Sequence, residues 1–76
     1  MPRFFFDMKN GGVIKDSDGV ELPDQETAEQ EALKGLGALV SEELGEGQIS
    51  SIFQISVRLE TEVVFKATLA LQIERP

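Results

Sequence analysis

The chain has 76 residues, no cysteine, no histidine, and a net charge of −7 from 14 acidic against 7 basic residues. These counts exclude a disulfide framework, the usual zinc ligands, a thiolate nucleophile and the commonest general base. The acidity also opposes the counterion release on which nucleic-acid and anionic-membrane binders depend, so neither nucleic acid nor membrane is an expected partner. A chain this short forms one domain, residues 1–76, with one small core, and such cores usually need a disulfide, a metal or a partner subunit. Association is the staple that this composition leaves.

Residues Arg3 to Met8 alternate as a strand, with Phe4, Phe6 and Met8 toward a core and Phe5 and Asp7 on the other side. Asn10-Gly11-Gly12 supplies the residues of a tight hairpin, and a three-residue loop sets Met8 opposite Ile14 and Asp7 opposite Lys15. Asp16-Ser17-Asp18-Gly19 is a second turn signal, followed by the short strand Val20-Glu21-Leu22. Pro23 ends any ladder, and Asp24 is an N-cap whose carboxylate can accept from first-turn amides.

The helix is predicted to run from Gln25 to Gly45, where glycine tolerates the left-handed cap conformation. Ala28, Ala32, Leu33, Leu36, Leu39, Val40 and Leu44 form its apolar stripe, with Leu36 at the centre of the core. From Ile49 the period changes to two. Ile49, Phe53, Ile55, Val57 and Leu59 face inward, as do Val63, Phe65, Ala67, Leu69, Leu71 and Ile73 on the last strand, with Val64, Lys66, Thr68 and Ala70 outward. For both apolar sets to share a face the loop must be odd, and Glu60-Thr61-Glu62 pairs Leu59 with Val63 and Val57 with Phe65. The expected fold is α+β, a two-layer sandwich of one helix on an antiparallel sheet in the order β-β-(short β)-α-β-β. The Phe4-Phe5-Phe6 run suggests a central first strand; the rest of the strand order is open.

Met1-Pro2-Arg3-Phe4-Phe5-Phe6-Asp7, Asp16, Gly19-Val20-Glu21-Leu22-Pro23-Asp24, Ala28 and Glu31-Ala32-Leu33 carry a resemblance. The chain resembles a family of short proteobacterial proteins of unknown function, whose members open Met-Pro-Arg followed by aromatics and carry Glu-Leu-x-Asp before an alanine-rich helix. The resemblance implies no activity and no functional residues. In architecture alone the element order is also similar to the antitoxin half of bacterial toxin and antitoxin pairs with a partial double-stranded-RNA-binding-domain-like fold.

No segment carries a specific chemical signature. Asp16-Ser17-Asp18-Gly19 could open a calcium loop, but Gln25 stands where that loop needs its glutamate, so the stretch reads as a turn and no metal or other cofactor is expected. Glu42-Glu43 and the pair Glu60 and Glu62 read as solvated surface, because acid-base work needs a pocket that shifts their pKa. Glu29 and Glu43 fall within the apolar arc of the helix and either reach solvent, the preferred reading, or meet a Lys or Arg. Serines have no histidine to activate them, so an enzyme is not expected. The opening is too short for a signal peptide's apolar region and no run reaches the ~18 apolar residues of a membrane span, which points to the cytoplasm.

The reading that follows is a non-catalytic protein-interaction module that self-associates; the alternative is an antitoxin-like neutraliser of a small basic toxin or nuclease. One helix covers one side of the sheet, and the other side carries Phe5, Ile52, Val64, Thr68 and Ala70, rimmed by Arg58, Lys66 and Glu74. That face, or an edge of the sheet, is the expected homodimer interface.

Overall fold

In a computed structural model the structure describes residues 1–45, 52–72 and 74. Its elements are β1 (Arg3–Lys9), β2 (Val13–Ile14), β3 (Val20–Glu21), α1 (Gln25–Gly45), β4 (Ile52–Leu59) and β5 (Glu62–Ala70). The fold is α+β, one helix on an antiparallel sheet of order β2-β1-β4-β5, with β3 on β1 as well. The inward positions expected for Ile49 and Ile73 lie outside the described residues.

The helix starts where its cap is. The Thr27 N–H donates to Asp24 Oδ1 at 2.8 Å, satisfying one of the amides that the first turn leaves open. Ala28, Ala32 and Leu36, at successive i+4 positions, are buried, and the two alanines are fully covered. Small side chains there let the helix backbone approach Phe53, Ile55 and Val57 of β4, which with Phe4 of β1 complete the buried core. Leu39 and Val40 pack against this cluster, whereas Leu33 and Leu44 are about half exposed, so the stripe is narrower in the fold than in the sequence.

Two side-chain contacts fix the helix direction. At its start Gln25 Nε2 donates to the Val64 carbonyl of β5, and near its end Glu43 accepts from Asn10 Nδ2, in the β1–β2 hairpin, at 2.8 Å. The helix therefore crosses the sheet obliquely, from β5 over β4 toward β1. Oblique crossing leaves two uncovered corners, one over β1 and β3 beside the first half of α1 and one over the end of β5 beside its second half. The two carboxylates in the apolar arc meet amides rather than cations: Glu43 bonds Asn10, and Glu29 accepts from Gln25 Nε2 at 3.0 Å.

β1 is central, as the aromatic run suggests, and Met8 pairs with Ile14 across the Asn10–Gly12 loop as expected. The far edge of β1 is shared by β2 and β3, with Met8 and Lys9 opposite Ile14 and Val13, and Arg3 and Phe4 opposite Glu21 and Val20. Between these pairs three residues of β1, 5–7, face five of the other segment, 15–19, so what would be one continuous strand loops out in its middle. Lys15 consequently lies beyond the ladder, and its expected pairing with Asp7 is not formed.

The β4–β5 hairpin also departs from expectation. Val57 pairs with Phe65 as predicted, but Leu59 pairs with Glu62 and Arg58 with Val63, with a register shift between Val57 and Arg58. The loop is thus the two residues Glu60 and Thr61, with Glu60 in the left-handed region at φ 52°. A bulge at Val64 adds the third residue that the parity of the two strands demands. The bulge exchanges two valines: Val63, expected inward, is 51 % exposed beside Arg58, while Val64, expected outward, packs against the core cluster.

Candidate functional site

On the sheet face opposite the helix, Asp7, Asp16 and Arg58 form one network. Phe5 and Arg58 are cross-strand neighbours, and the Arg58 guanidinium carbon lies 4.6 Å from the centre of the Phe5 ring. Arg58 Nε donates to Asp7 Oδ2 at 2.8 Å, and its terminal nitrogens donate to the carbonyls of Asp16 and Glu60. Asp7 Oδ1 accepts the Asp16 N–H at 2.9 Å. The Asp7–Arg58 pair is 20 % and 13 % exposed, well shielded for a surface ion pair.

Asp16 closes the looped-out segment. Its Oδ1 accepts the N–H groups of Asp18 and Gly19, and its Oδ2 accepts the N–H of Phe6 at 3.1 Å, taking the place of the backbone carbonyl that a continuous strand would offer. Gly19 follows from this geometry. It has φ +70°, and a Cβ there would stand 2.8 Å from the Phe5 ring and 3.0 Å from the Phe4 carbonyl. The carboxylate read from sequence as part of a turn is therefore engaged with three backbone amides.

Both carboxyls are held below their ordinary values. Burial pushes Asp7 up, but the Arg58 hydrogen bond, the Asp16 N–H and the Arg58 charge outweigh it. At Asp16 the N–H groups of Gly19 and Phe6 lower the pKa most, against burial, with help from Asp18 N–H and Arg58. Asp24 is lowered by the Thr27 side chain and N–H. All three are acceptors whose hydrogen bonds favour the ionised form.

The five residues expected at an interface are not equivalent. Ile52, Thr68 and Ala70 are exposed, with Ile52 opposite Ala70 in the ladder. Phe5 is half-buried under Arg58, and Val64 packs against the core. Between them run polar pairs: Gln54 Nε2 donates to Thr68 Oγ1 at 3.0 Å, and Ser56 stands opposite Lys66. The open face is thus mixed, apolar at Ile52 with Ala70 and around Phe5 and Val63, with polar pairs between. Of the expected rim residues Arg58 is tied into the network, and Glu74 accepts from Gln72.

Sequence reasoning named an edge of the sheet without saying which strand forms it, and it missed the two corners. β5 is nine residues long and, among the described residues, pairs with β4 on one side only. Leu69, on this strand, is 42 % exposed, and Leu33 and Leu44 of α1 are exposed to a similar degree. The other corner is a groove of about 270 Å³ formed by Phe6, Met8, Val20, Leu22, Gly35 and Ile55, with Glu31 at its rim. A cleft of about 490 Å³ lies among Pro2, Arg3, Phe5, Leu59, Glu60 and Glu62, but Arg3 there is already bonded to the Asp18 carbonyl and to Glu21. Among the described residues no group of acidic side chains is placed to hold a metal ion, and no helix is long and apolar enough to cross a membrane.

Fold and surface together define a small α+β domain with a free sheet edge and a sheet face locked by an arginine and two aspartates. The chain belongs to the family described as a domain of unknown function (DUF6894), whose family model matches residues 3–70. No curated protein and no solved structure shows a significant match.

Proposed function

We propose that this domain is a non-catalytic protein-interaction module that self-associates, and that its dimer forms along the free edge of β5. The observation that carries this reading is the nine-residue strand β5, which among the described residues pairs on one side only and carries the exposed side chain of Leu69. A two-fold antiparallel pairing centred on Ala67 sets Leu69 against the partner's Phe65 and Lys66 against the partner's Thr68, so apolar meets apolar and no like charges face each other. The polar pairs on the open face disfavour that face as the interface, and the ionised, engaged state of Asp7 and Asp16 supports a role without catalysis.

Sedimentation equilibrium at micromolar concentration tests the proposal. The parent is expected at dimer mass, Leu69→Lys at monomer mass with its helical circular dichroism retained, and Ala70→Lys, on the open face, still dimeric. A monomeric parent refutes self-association. A dimer that survives Leu69→Lys but not Ala70→Lys refutes the edge.

A further inference from the structure

The chain contains a single asparagine, Asn10, and glycine follows it. The pair sits in the β1–β2 loop, where the Asn10 N–H donates to the Gly12 carbonyl at 3.1 Å and Gly11 is held at φ 95°, a conformation that glycine adopts without strain. Gly11 and Gly12 are exposed, and a Cβ added at Gly12 would meet nothing within 4 Å, so water reaches the loop freely. The same loop anchors the helix, through the bond of 2.8 Å from Asn10 Nδ2 to the half-buried Glu43. Asparagine is a chemically labile side chain, and it is most so where the next residue is a glycine that leaves the following nitrogen unshielded.

We propose that Asn10 is a deamidation site, and that its conversion detaches the end of α1 from the β1–β2 loop. The Gly11 nitrogen, on losing its proton to solvent base, attacks Asn10 Cγ; the Cγ–Nδ2 bond then breaks and ammonia leaves. Water opens the resulting cyclic imide at either carbonyl, giving aspartate or isoaspartate. Either product sets a carboxylate against Glu43 in place of the Nδ2 donor, so a hydrogen bond becomes a repulsion between like charges in a part-buried contact. Isoaspartate also lengthens the backbone of a tight loop. Asp18-Gly19, which could form the same imide, is guarded because the Gly19 N–H is donated to Asp16 Oδ1 at 3.1 Å, whereas the Gly11 N–H donates to none of the described residues. Glu43 slows the reaction whose product it opposes, since it holds the Asn10 amide and its charge disfavours an anionic nitrogen nearby. The loop lies at the edge of the sheet opposite β5, so the reaction does not depend on pairing there.

Incubation of the folded protein at mildly alkaline pH in water enriched in the heavy oxygen isotope, followed by digestion in acid and mass spectrometry, tests the proposal. Residue 10 is expected to lose ammonia and take one oxygen from solvent, with isoaspartate among the products as the mark of an imide, and Glu43→Ala is expected to react severalfold faster. By hydrogen exchange Asn10→Asp should open the amides of residues 41–45 severalfold more often than the parent, while Ile55 and Val57 of β4 stay protected. Adding Glu43→Gln to that variant should restore the helix end, because the new amide can donate to the new carboxylate. The inference is overturned by a residue 10 that stays asparagine long after an unstructured peptide of residues 7–13 has converted, by products without isoaspartate, or by a Glu43→Ala rate no higher than the parent's. Helix-end exchange unaltered in Asn10→Asp, or not restored by Glu43→Gln, overturns the detachment.

Discussion

Replacing Asp16 by asparagine removes one acceptor oxygen while keeping the shape of the side chain. In the parent Oδ1 serves the Asp18 and Gly19 amides and Oδ2 serves Phe6. An asparagine that keeps the turn must point its NH2 at the Phe6 N–H, donor against donor, in the gap between β2 and β3. A hydrogen bond to a charged acceptor nets about 1.5–3 kcal/mol, so Asp16→Asn is expected to cost about that much. Asp16→Ala loses the turn bonds as well; those amides lie nearer the surface and rehydrate, for a total of about 2–4 kcal/mol. Against the roughly 4–11 kcal/mol expected for a domain of this length, either loss is large. The chain has neither tryptophan nor tyrosine, so urea unfolding followed by far-UV circular dichroism is the suitable assay, with amide hydrogen exchange at Phe6 as the local readout. An asparagine variant within about 0.5 kcal/mol of the parent, or a Phe6 amide equally protected in both, would refute the assignment of Asp16 as a surrogate strand.

Leu36→Ala is expected to cost about 2–5 kcal/mol, because Leu36 is 7 % exposed at the middle of the helix; a loss below 1 kcal/mol in urea unfolding would mean that the site collapses around the cavity. Glu60→Gly should stabilise by about 1 kcal/mol, since Glu60 is a side-chain-bearing residue held at φ 52°, and a destabilised variant would show that its side chain offsets that strain. Asp7, Asp16 and Asp24 are all depressed below the ordinary value of 3.8, so the unfolded chain takes up protons first on acidification. Stability from these groups is complete above that value and is lost as pH falls through it toward the folded pKa values, so the urea midpoint should be level from neutral pH to about 5 and drop below about 4. A midpoint unchanged to pH 3 would contradict the ionised network.

The helix bounds were legible because its cap and i+4 alanines are local signals, although Gly45 is its last helical residue and does not take the left-handed conformation expected there; the Met8–Ile14 register followed from the length of the Asn10–Gly12 loop. The stripe overstated burial at Leu33 and Leu44, since periodicity gives a face but not the angle at which that face crosses a sheet. Parity required an odd count between Val57 and Phe65, yet it could not distinguish a three-residue loop from two residues plus a bulge, and so Val63 and Val64 were interchanged. Asp7, Asp16 and Arg58 were hidden by distance along the chain. Their one signal was that Asp7 and Arg58 occupy outward positions on strands rich in apolar residues, which becomes a contact only once β1 is known to neighbour β4.

The looped-out segment between β2 and β3 also bears on how far the sheet can grow. An edge whose Phe6 amide is answered by a carboxylate, and whose two short strands stand out of line by two residues, offers no straight row of donors and acceptors to a newcomer. Two competent edges would allow head-to-tail addition without end, the route by which sheets polymerise into fibres. With one edge spoiled, the proposed pairing along β5 would consume the only long templating border among the described strands, and assembly by that route would terminate at two copies.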